Sequence, residues 1–174
     1  MEISNSEFTE LGGQLVLPFF EGNDKPPNNA LSGLSRSQRT LVREALASGG
    51  FDGKKGKRMT LWTPGCNIIL VGMGAKESLG HKRARDTGAR LIASMSKKKG
   101  LDVTVRFTSG WSSARMIDFA EGMMLRDYEF LSHQEVPESH IEDPWKVEFQ
   151  ASSRYQVRLS EGLGRAHSVA GGVH

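Results

Sequence analysis

The chain has 174 residues, of which 37% are hydrophobic and 20 are glycine, and its formal net charge at pH 7 is +3. This length suits one domain with its own core and is marginal for two. The single cysteine, Cys66, excludes an internal disulfide and a multi-cysteine metal site. We expect a cytoplasmic protein with no membrane partner, because no stretch reaches the roughly 20 apolar residues of a bilayer span. Residues 1–10 are also too polar for a secretory signal.

The first third of the chain predicts a strand and then a helix. Residues 14–20 (QLVLPFF) are rich in β-branched and aromatic side chains, and Pro18 fits an edge position or the strand's end. Ser35 and Gln38 have capping-box spacing and begin a helix that the glycines at 49–50 end. Its predicted core face consists of Leu34, Leu41, Val42, Ala45 and Leu46.

The middle of the chain predicts two paired strands and a second helix. Residues 58–65 (RMTLWTPG) and 67–72 (NIILVG) are close enough in sequence to pair. The second lacks alternation, which is typical of a central strand covered on both faces. A helix is predicted from about 78 to 99, with a basic last turn that complements the helix dipole. Its predicted buried stripe consists of Ala84, Gly88, Leu91, Ile92 and Met95.

A third strand and a third helix follow. Residues 101–107 (LDVTVRF) alternate between apolar and polar side chains and predict a strand. The helix is predicted over residues 112–126, and its core face consists of Met116, Ala120, Met123 and Met124. Strands that alternate with helices in this order predict an α/β fold, a mixed β-sheet flanked by helices on both faces.

The last part of the chain is less regular. Residues 132–145 are polar and contain two prolines, so we predict a loop. Residues 146–150 (KVEFQ) and 155–159 (YQVRL) predict two short strands that can pair. Residues 160–174 have weak helical character despite four glycines.

The glycine turn that follows the strand at 67–72 raises the question of a nucleotide site. Gly72 and Gly74 match the first two glycines of a dinucleotide fingerprint, but Glu77 stands where the third glycine is required. Residues 75–77 (AKE) are not the Gly-Lys-Ser/Thr of a Walker loop either. We therefore interpret the segment as a buried strand that ends in a glycine turn.

No other residues form a visible catalytic or metal-binding constellation. The five histidines show no metal-ligand spacing and are interpreted as surface residues: His81, His133, His140, His167 and His174. Cys66 has no nearby histidine to activate it and is interpreted as a structural thiol. Glu121 lies in a predicted helix and is expected on its solvated face.

Basic residues form three clusters, at 54–58 (KKGKR), 82–85 (KRAR) and 97–99 (KKK). Such clusters can contact phosphates, but no aromatic residues interleave with them. The favoured interpretation is therefore solvated loops and helix ends.

Residues 15–130 resemble the N-terminal domain of the leucyl (cytosol) aminopeptidase family. The resemblance rests on five segments in order: LVLPFFEG, LASGGFDGKKGKRMTLWTPG, NIILVGMGAKESL, RARDTGARLIASM and DFAEGMMLRDYEF. LGRAHSVAGGVH then resembles the start of the helix that leads into the family's catalytic domain. The implied domains are a macro-domain-like α/β domain over 1–159 and a linking helix that begins in 160–174, with the catalytic domain absent from this segment.

The resemblance implies a function for the parent protein. It places no catalytic step in this segment. Family members remove N-terminal residues from peptides with two divalent metals, zinc or manganese, held in the C-terminal domain. No catalytic, cofactor-binding or metal-binding residue carries over to any position here, so we expect the segment alone to be inactive. The implied role is assembly of a homo-oligomer, a hexamer, and control of access to the active site, with the chain's own catalytic domain as partner.

Two alternatives remain open from the sequence. One is a stand-alone macro-like module that binds ADP-ribose or a related nucleotide at the glycine turn and a helix N-terminus. The other is a nucleic-acid-binding module that uses the three basic clusters, as some bacterial members of the family bind DNA.

Overall fold

A computed structural model describes residues 1–6, 11, 13–95, 102–133 and 146–171. The strands are β1 Glu2–Ser6, β2 Gln14–Phe19, β3 Arg58–Leu61, β4 Asn67–Gly72, β5 Asp102–Arg106 and β6 Lys146–Gln150. The helices are α1 Arg36–Ala47, α2 His81–Met95, α3 Ser113–His133 and α4 Gln156–Gly171. Of the loop predicted over 132–145, residues 132 and 133 belong to α3 instead, and 134–145 lie outside the described residues, as does the basic cluster at 97–99.

The described strands form one six-stranded sheet in the order β1-β6-β5-β2-β4-β3. β3 is antiparallel to β4, and the other pairings are parallel. The predicted mixed α/β sheet with helices on both faces is therefore confirmed. β4 is covered on both faces as expected, although it lies next to the edge strand and not at the centre.

Pro18 lies in the interior strand β2, at a position where β2 is paired with β4 but no longer with β5. The ladder between β2 and β4 extends from Gln14 to Phe19, whereas the ladder between β2 and β5 ends at Val16. A residue without a backbone N–H is tolerated where a neighbouring ladder has ended.

One face of the sheet is covered by α2, α3 and α4, and we call it the three-helix face. The predicted stripes of α2 and α3 are buried there with strand residues such as Val105 and Phe149. Helices α2 and α3 approach so closely that a Cβ on Gly88 would lie 2.0 Å from the carbonyl oxygen of Phe119. A Cβ on Gly122 would lie 2.0 Å from that of Arg85, so both glycines are required by the crossing.

The opposite face is covered by α1 and the segment that precedes it, and we call it the single-helix face. α1 begins with the predicted capping box: Gln38 N donates to Ser35 Oγ at 3.2 Å, and Ser35 N donates to Gln38 Oε1 at 2.9 Å. Val42 and Leu46 are buried against the sheet. Leu41 was expected in the core but is 40% exposed, because it lies on the rim of the helix's apolar stripe.

A fully buried arginine lies on the single-helix face. Arg106 Nη1 donates to the carbonyl oxygens of Ala30 at 3.0 Å and Ser32 at 2.7 Å, and Nε donates to Gln150 Oε1 at 2.9 Å. Burial lowers the pKa of its guanidinium to about 10. Thr104, two residues earlier on the same face of the strand, is buried as well.

The end of the chain differs from the sequence expectation. Residues 155–159 are not a strand: Tyr155 ends a short 3-10 turn, and α4 begins at Gln156. The helical character expected beyond residue 160 is present as far as Gly171. The residues that α4 buries on the three-helix face are Leu159, Leu163, Ala166 and Ala170. β1, which the sequence did not predict, pairs with β6.

Candidate functional site

The glycine turn after β4 accommodates the neighbouring basic loop. Gly72 N donates to the carbonyl oxygen of Lys57 at 2.8 Å, and Gly74 N donates to that of Gly53 at 2.9 Å. A Cβ on Gly72 would lie 2.0 Å from the carbonyl oxygen of Lys54. Gly74 has a φ of +76°, which favours glycine. Close backbone packing at Gly72 and the positive φ of Gly74 therefore explain the two glycines without a pyrophosphate.

The turn also does not lead directly into a helix, as the glycine turn of a dinucleotide site does. A 3-10 turn at Lys76–Ser78 follows it, and α2 begins only at His81. In the fingerprint the glycine turn opens the helix, whose N-terminus holds the pyrophosphate. The turn instead borders a crevice of about 420 Å³ at the carboxyl ends of β2, β4 and β5. The residues that line this carboxyl-end crevice include Phe20, Glu21, Asn23, Lys76, Glu77 and Ser109.

Two of the three basic clusters meet in a second cavity, which we call the basic groove. It has a volume of about 130 Å³ and lies between the loop at 55–58 and one face of α2. Arg83, Asp86, Thr87 and Arg90 line it from α2, at spacings of three and four residues that place them on one face of the helix. The sequence showed both clusters but not their proximity.

Positive charge dominates the basic groove. Lys55, Lys57, Arg58, Arg83 and Arg90 line it, and Asp86 is the one acidic residue among its lining side chains. Asp86 pairs with Lys82 at 3.0 Å. That hydrogen bond, with weaker contributions from the charges of Lys82, Arg90 and Lys55, holds the pKa of the Asp86 carboxyl below its usual value.

A third group of polar side chains joins α2 to α3. His81 Nδ1 lies 2.5 Å from Asp118 Oδ1, and Arg115 Nε lies 3.1 Å from Asp118 Oδ2. Arg85 pairs with Glu121 at 2.7 Å. Glu121 is therefore partly buried in an ion pair between two helices, which corrects its placement on a solvated face. These contacts are consistent with a structural role.

The remaining candidate residues form no reactive arrangement in the described ranges. Burial raises the pKa of the Cys66 thiol, which disfavours a reactive thiolate. His167 is exposed on α4, whereas the side chain of His133 and the whole of His140 and His174 lie outside the described residues. Among those residues, no group of three or more His, Cys, Asp or Glu side chains is placed to hold a metal ion. In the same ranges, no helix has the length and hydropathy of a membrane span.

The sequence matches one protein family over most of its length. Residues 16–135 match the family described as "Cytosol aminopeptidase family, N-terminal domain". A curated relative, the probable cytosol aminopeptidase of Aquifex aeolicus, is 24% identical over 164 residues. That alignment covers 91% of this chain and 32% of the relative.

Solved structures with a similar fold include a mutant of tomato leucine aminopeptidase, with a TM-score of 0.71 and 20% identity. The match covers 99% of this chain and 36% of that protein. The bottromycin maturation enzyme BotP matches with a TM-score of 0.54 and 14% identity, over 91% of this chain and 31% of its own. The chain thus spans about a third of the length of these proteins.

Proposed function

The chain belongs to the cytosol aminopeptidase family through that family's N-terminal domain, and from this premise we propose that it serves a peptidase as a non-catalytic domain for assembly and active-site access. The observation that carries the proposal is the family match over residues 16–135.

The whole protein, under this proposal, is a leucyl-aminopeptidase-like metallopeptidase. It would hydrolyse the first peptide bond of its substrates with two divalent metals, zinc or manganese, which activate water and polarise the scissile carbonyl. The side chains described here do not fit those metals, so no step of hydrolysis is assigned to this chain. Its partners would be its own catalytic domain and further copies of the protein, as a hexamer in the cytoplasm.

The domain division follows from the same proposal. We assign residues 1–159 to the N-terminal domain and 160–174 to the start of the link toward the catalytic domain. This boundary falls inside α4, whose buried residues Leu163, Ala166 and Ala170 pack on the three-helix face. The link would therefore leave the domain from a helix that is anchored in its core.

Four large apolar side chains that are exposed in the described part of the chain support a role in assembly. Trp62, directly after edge strand β3, is 69% exposed, and Leu41 of α1 is 40% exposed. On the opposite face of the sheet, Val157 and Val169 of α4 are 70% and 57% exposed. A second protein chain that covered these side chains would remove their apolar surface from water.

Activity and mass measurements on the purified chain test the proposal. We expect no hydrolysis of leucine amide with added manganese or zinc, and metal-dependent turnover by the pure chain would overturn the assignment. Light scattering tests assembly: Trp62→Ser and Val169→Ser should lower the average mass, whereas Lys25→Ser, an exposed loop control, should not. A chain that is monomeric at all concentrations would remove the assembly role.

The carboxyl-end crevice supports a second candidate, a module that binds ADP-ribose or a related nucleotide. Its volume of about 420 Å³ lies within the range of small-molecule sites, roughly 300–1,000 Å³, and open α/β sheets bind ligands at this end. Glu21 and Glu77 line it, however, and would repel a diphosphate. Calorimetry with ADP-ribose separates the candidates, since micromolar binding would favour the nucleotide module.

The basic clusters support a nucleic-acid-binding module as a further alternative. This alternative predicts an affinity for DNA that falls steeply with salt, because each neutralised phosphate releases counterions. A salt titration of DNA binding measures this slope directly, and absent or salt-independent binding would remove the alternative.

A further inference from the structure

The basic groove is built by parts of the chain that are distant in sequence and are held together by backbone bonds. Lys57 N donates to the carbonyl oxygen of Lys54 at 3.0 Å, which closes the loop into a turn. Gly53 and Gly56 have φ values of +72° and +83°, and their freedom at positive φ permits this turn. Hydrogen bonds from Gly72 and Gly74 fix the loop against the end of β4. The lysines of the loop thus extend from a backbone whose position is set.

Three cations of the basic groove have no ion-pair partner among the described residues. Lys57 pairs with Asp52 at 3.2 Å, and Arg58 Nη1 donates to Ser94 Oγ. Lys55, Arg83 and Arg90 form no ion pair with a carboxylate of the described residues. Asp86 also lines the groove, where it pairs with Lys82 and its charge interacts with those of Arg90 and Lys55, so this one carboxylate is shared among several cations.

The shape of the basic groove limits what can enter it. Val71, Gly72 and Leu91 are buried and line it beside the charged side chains. Its volume of about 130 Å³ is well below the roughly 300–1,000 Å³ of sites for drug-sized ligands. A single tetrahedral oxyanion is small enough for this space, whereas a whole nucleotide is not.

The cations that line the basic groove carry the chemical groups that bind a phosphate oxyanion. Arg83 and Arg90 carry planar guanidinium groups, which bind phosphate with two parallel hydrogen bonds, and Lys55 adds a compact point charge. Thr87 Oγ1 donates to the carbonyl oxygen of Arg83 at 2.8 Å, so its proton is already engaged. Recognition would thus depend on the three cations.

We propose that the basic groove binds one phosphate group of a small phosphorylated molecule through Lys55, Arg83 and Arg90. The site is separate from the carboxyl-end crevice, with which it shares no lining residue, and it does not depend on the proposed role in assembly. The phosphate occupies the cavity beside Gly72, and the rest of the ligand extends into solvent past the exposed side chains of Lys55 and Arg90.

Calorimetry at low ionic strength with inorganic phosphate and pyrophosphate tests the proposal. We expect saturable binding of one anion per chain. Lys55→Gln and Arg83→Gln should each weaken it about tenfold or more, because hydrogen bonds to charged groups are worth that factor. Arg43→Gln is the matched control: it removes the same charge from an exposed position on α1 and should leave the affinity unchanged.

Each other outcome would overturn the proposal. Equal weakening by Arg43→Gln would show general electrostatic attraction, and absence of binding to the wild-type chain would show that the groove has no anion site. Lys55 is exposed, and its side chain forms no hydrogen bond or ion pair with the described residues, so its variant stays informative if Arg83→Gln unfolds. A third measurement uses short duplex DNA: DNA binding that needs Lys55 and Arg83, without phosphate binding, would reassign the groove to nucleic acid.

Discussion

The two faces of the sheet are stabilised by different means. On the three-helix face, α2 and α3 cross at two glycines, and aromatic rings pack edge to face, as Phe107 and Phe119 do at 5.7 Å. On the single-helix face, one helix covers a smaller apolar cluster, and Arg106 donates hydrogen bonds to the segment before α1. Close packing dominates the first face, and a few directed polar bonds hold the second.

The two faces should therefore be destabilised by different kinds of substitution. Close packing tolerates no added volume, since interiors have the density of organic crystals. Directed polar bonds tolerate changes in volume better but not the loss of a donor, because a buried acceptor then remains unsatisfied. The substitutions below separate the two modes.

The largest expected effect is at the helix crossing. Gly122→Ala places a methyl group 2.0 Å from the carbonyl oxygen of Arg85, so α2 and α3 must separate. We expect a loss of about 3 kcal/mol, the upper end of the cost of overpacking, in urea unfolding. Gly164→Ala on α4 is the control: a Cβ there meets nothing within 4 Å, and the variant should gain up to about 1 kcal/mol of helix propensity. Equal stability of the two variants would contradict the close crossing.

The next effect is at the buried arginine. Arg106→Met removes the donor to the carbonyl oxygens of Ala30 and Ser32, and we expect a loss of about 2–3 kcal/mol in urea unfolding. Arg106→Lys should lose less, because an ammonium group can still donate to one of those carbonyl oxygens. A Met variant that is more stable than the Lys variant would show that desolvation of the charge outweighs its bonds.

A smaller effect is expected at the start of α1. Ser35→Ala removes the acceptor for the N–H of Gln38 and should cost about 1 kcal/mol, measured by chemical denaturation. Ser37→Ala, two residues later, loses only a hydroxyl contact with Ser35 and should stay near wild type. If both variants lose the same stability, the capping bond is not the cause.

The smallest expected effect is the contribution of Asp52 to the pH dependence of stability. The N–H of Lys54, and then the ammonium groups of Lys57 and Lys54, hold the pKa of the Asp52 carboxyl below its usual value, although partial desolvation opposes them. A lowered folded pKa gives stability that is present above the unfolded value, near 4, and is lost as the pH falls through the folded value. Asp52→Asn should therefore be less stable than wild type at pH 7, and the difference in urea midpoint should shrink by pH 3. A constant difference would contradict the shift.

Local patterns in the sequence predicted the elements whose signals lie within a few residues. The capping box at Ser35 and Gln38 gave the start of α1, and spacings of three and four gave all five buried residues of α2, since both depend on helix geometry alone. The strand prediction at 155–159 was wrong. Tyr155, Val157 and Leu159 alternate as in a strand, but the segment is helical, packs on α3 and leaves Val157 exposed. β1 was missed because its polar sequence becomes a strand only by pairing with β6.

The candidate site was predictable in its parts but not in its arrangement. Lys55 and Arg83 both stood in basic clusters, but nothing local indicates that they line one cavity. Their proximity depends on the backbone bonds that hold the loop of Lys55 at Gly72 and Gly74, and on the packing of α2 against the sheet. Likewise, no local pattern indicates that Arg106 is buried, because its acceptors at 30 and 32 lie more than 70 positions away.

The pairing of β1 with β6 has a consequence for the synthesis of the protein. Glu2 of β1 pairs with Lys146 of β6. β1 is synthesised before the other strands of the sheet, so it has no partner until β6 has been made. At about 5–20 residues per second, that interval is roughly 7–30 s. During it, β6 is missing and β5 is left as an open edge, the kind of edge that templates aggregation. A nascent chain stalled before residue 146 should therefore depend on chaperones more than one stalled beyond residue 171.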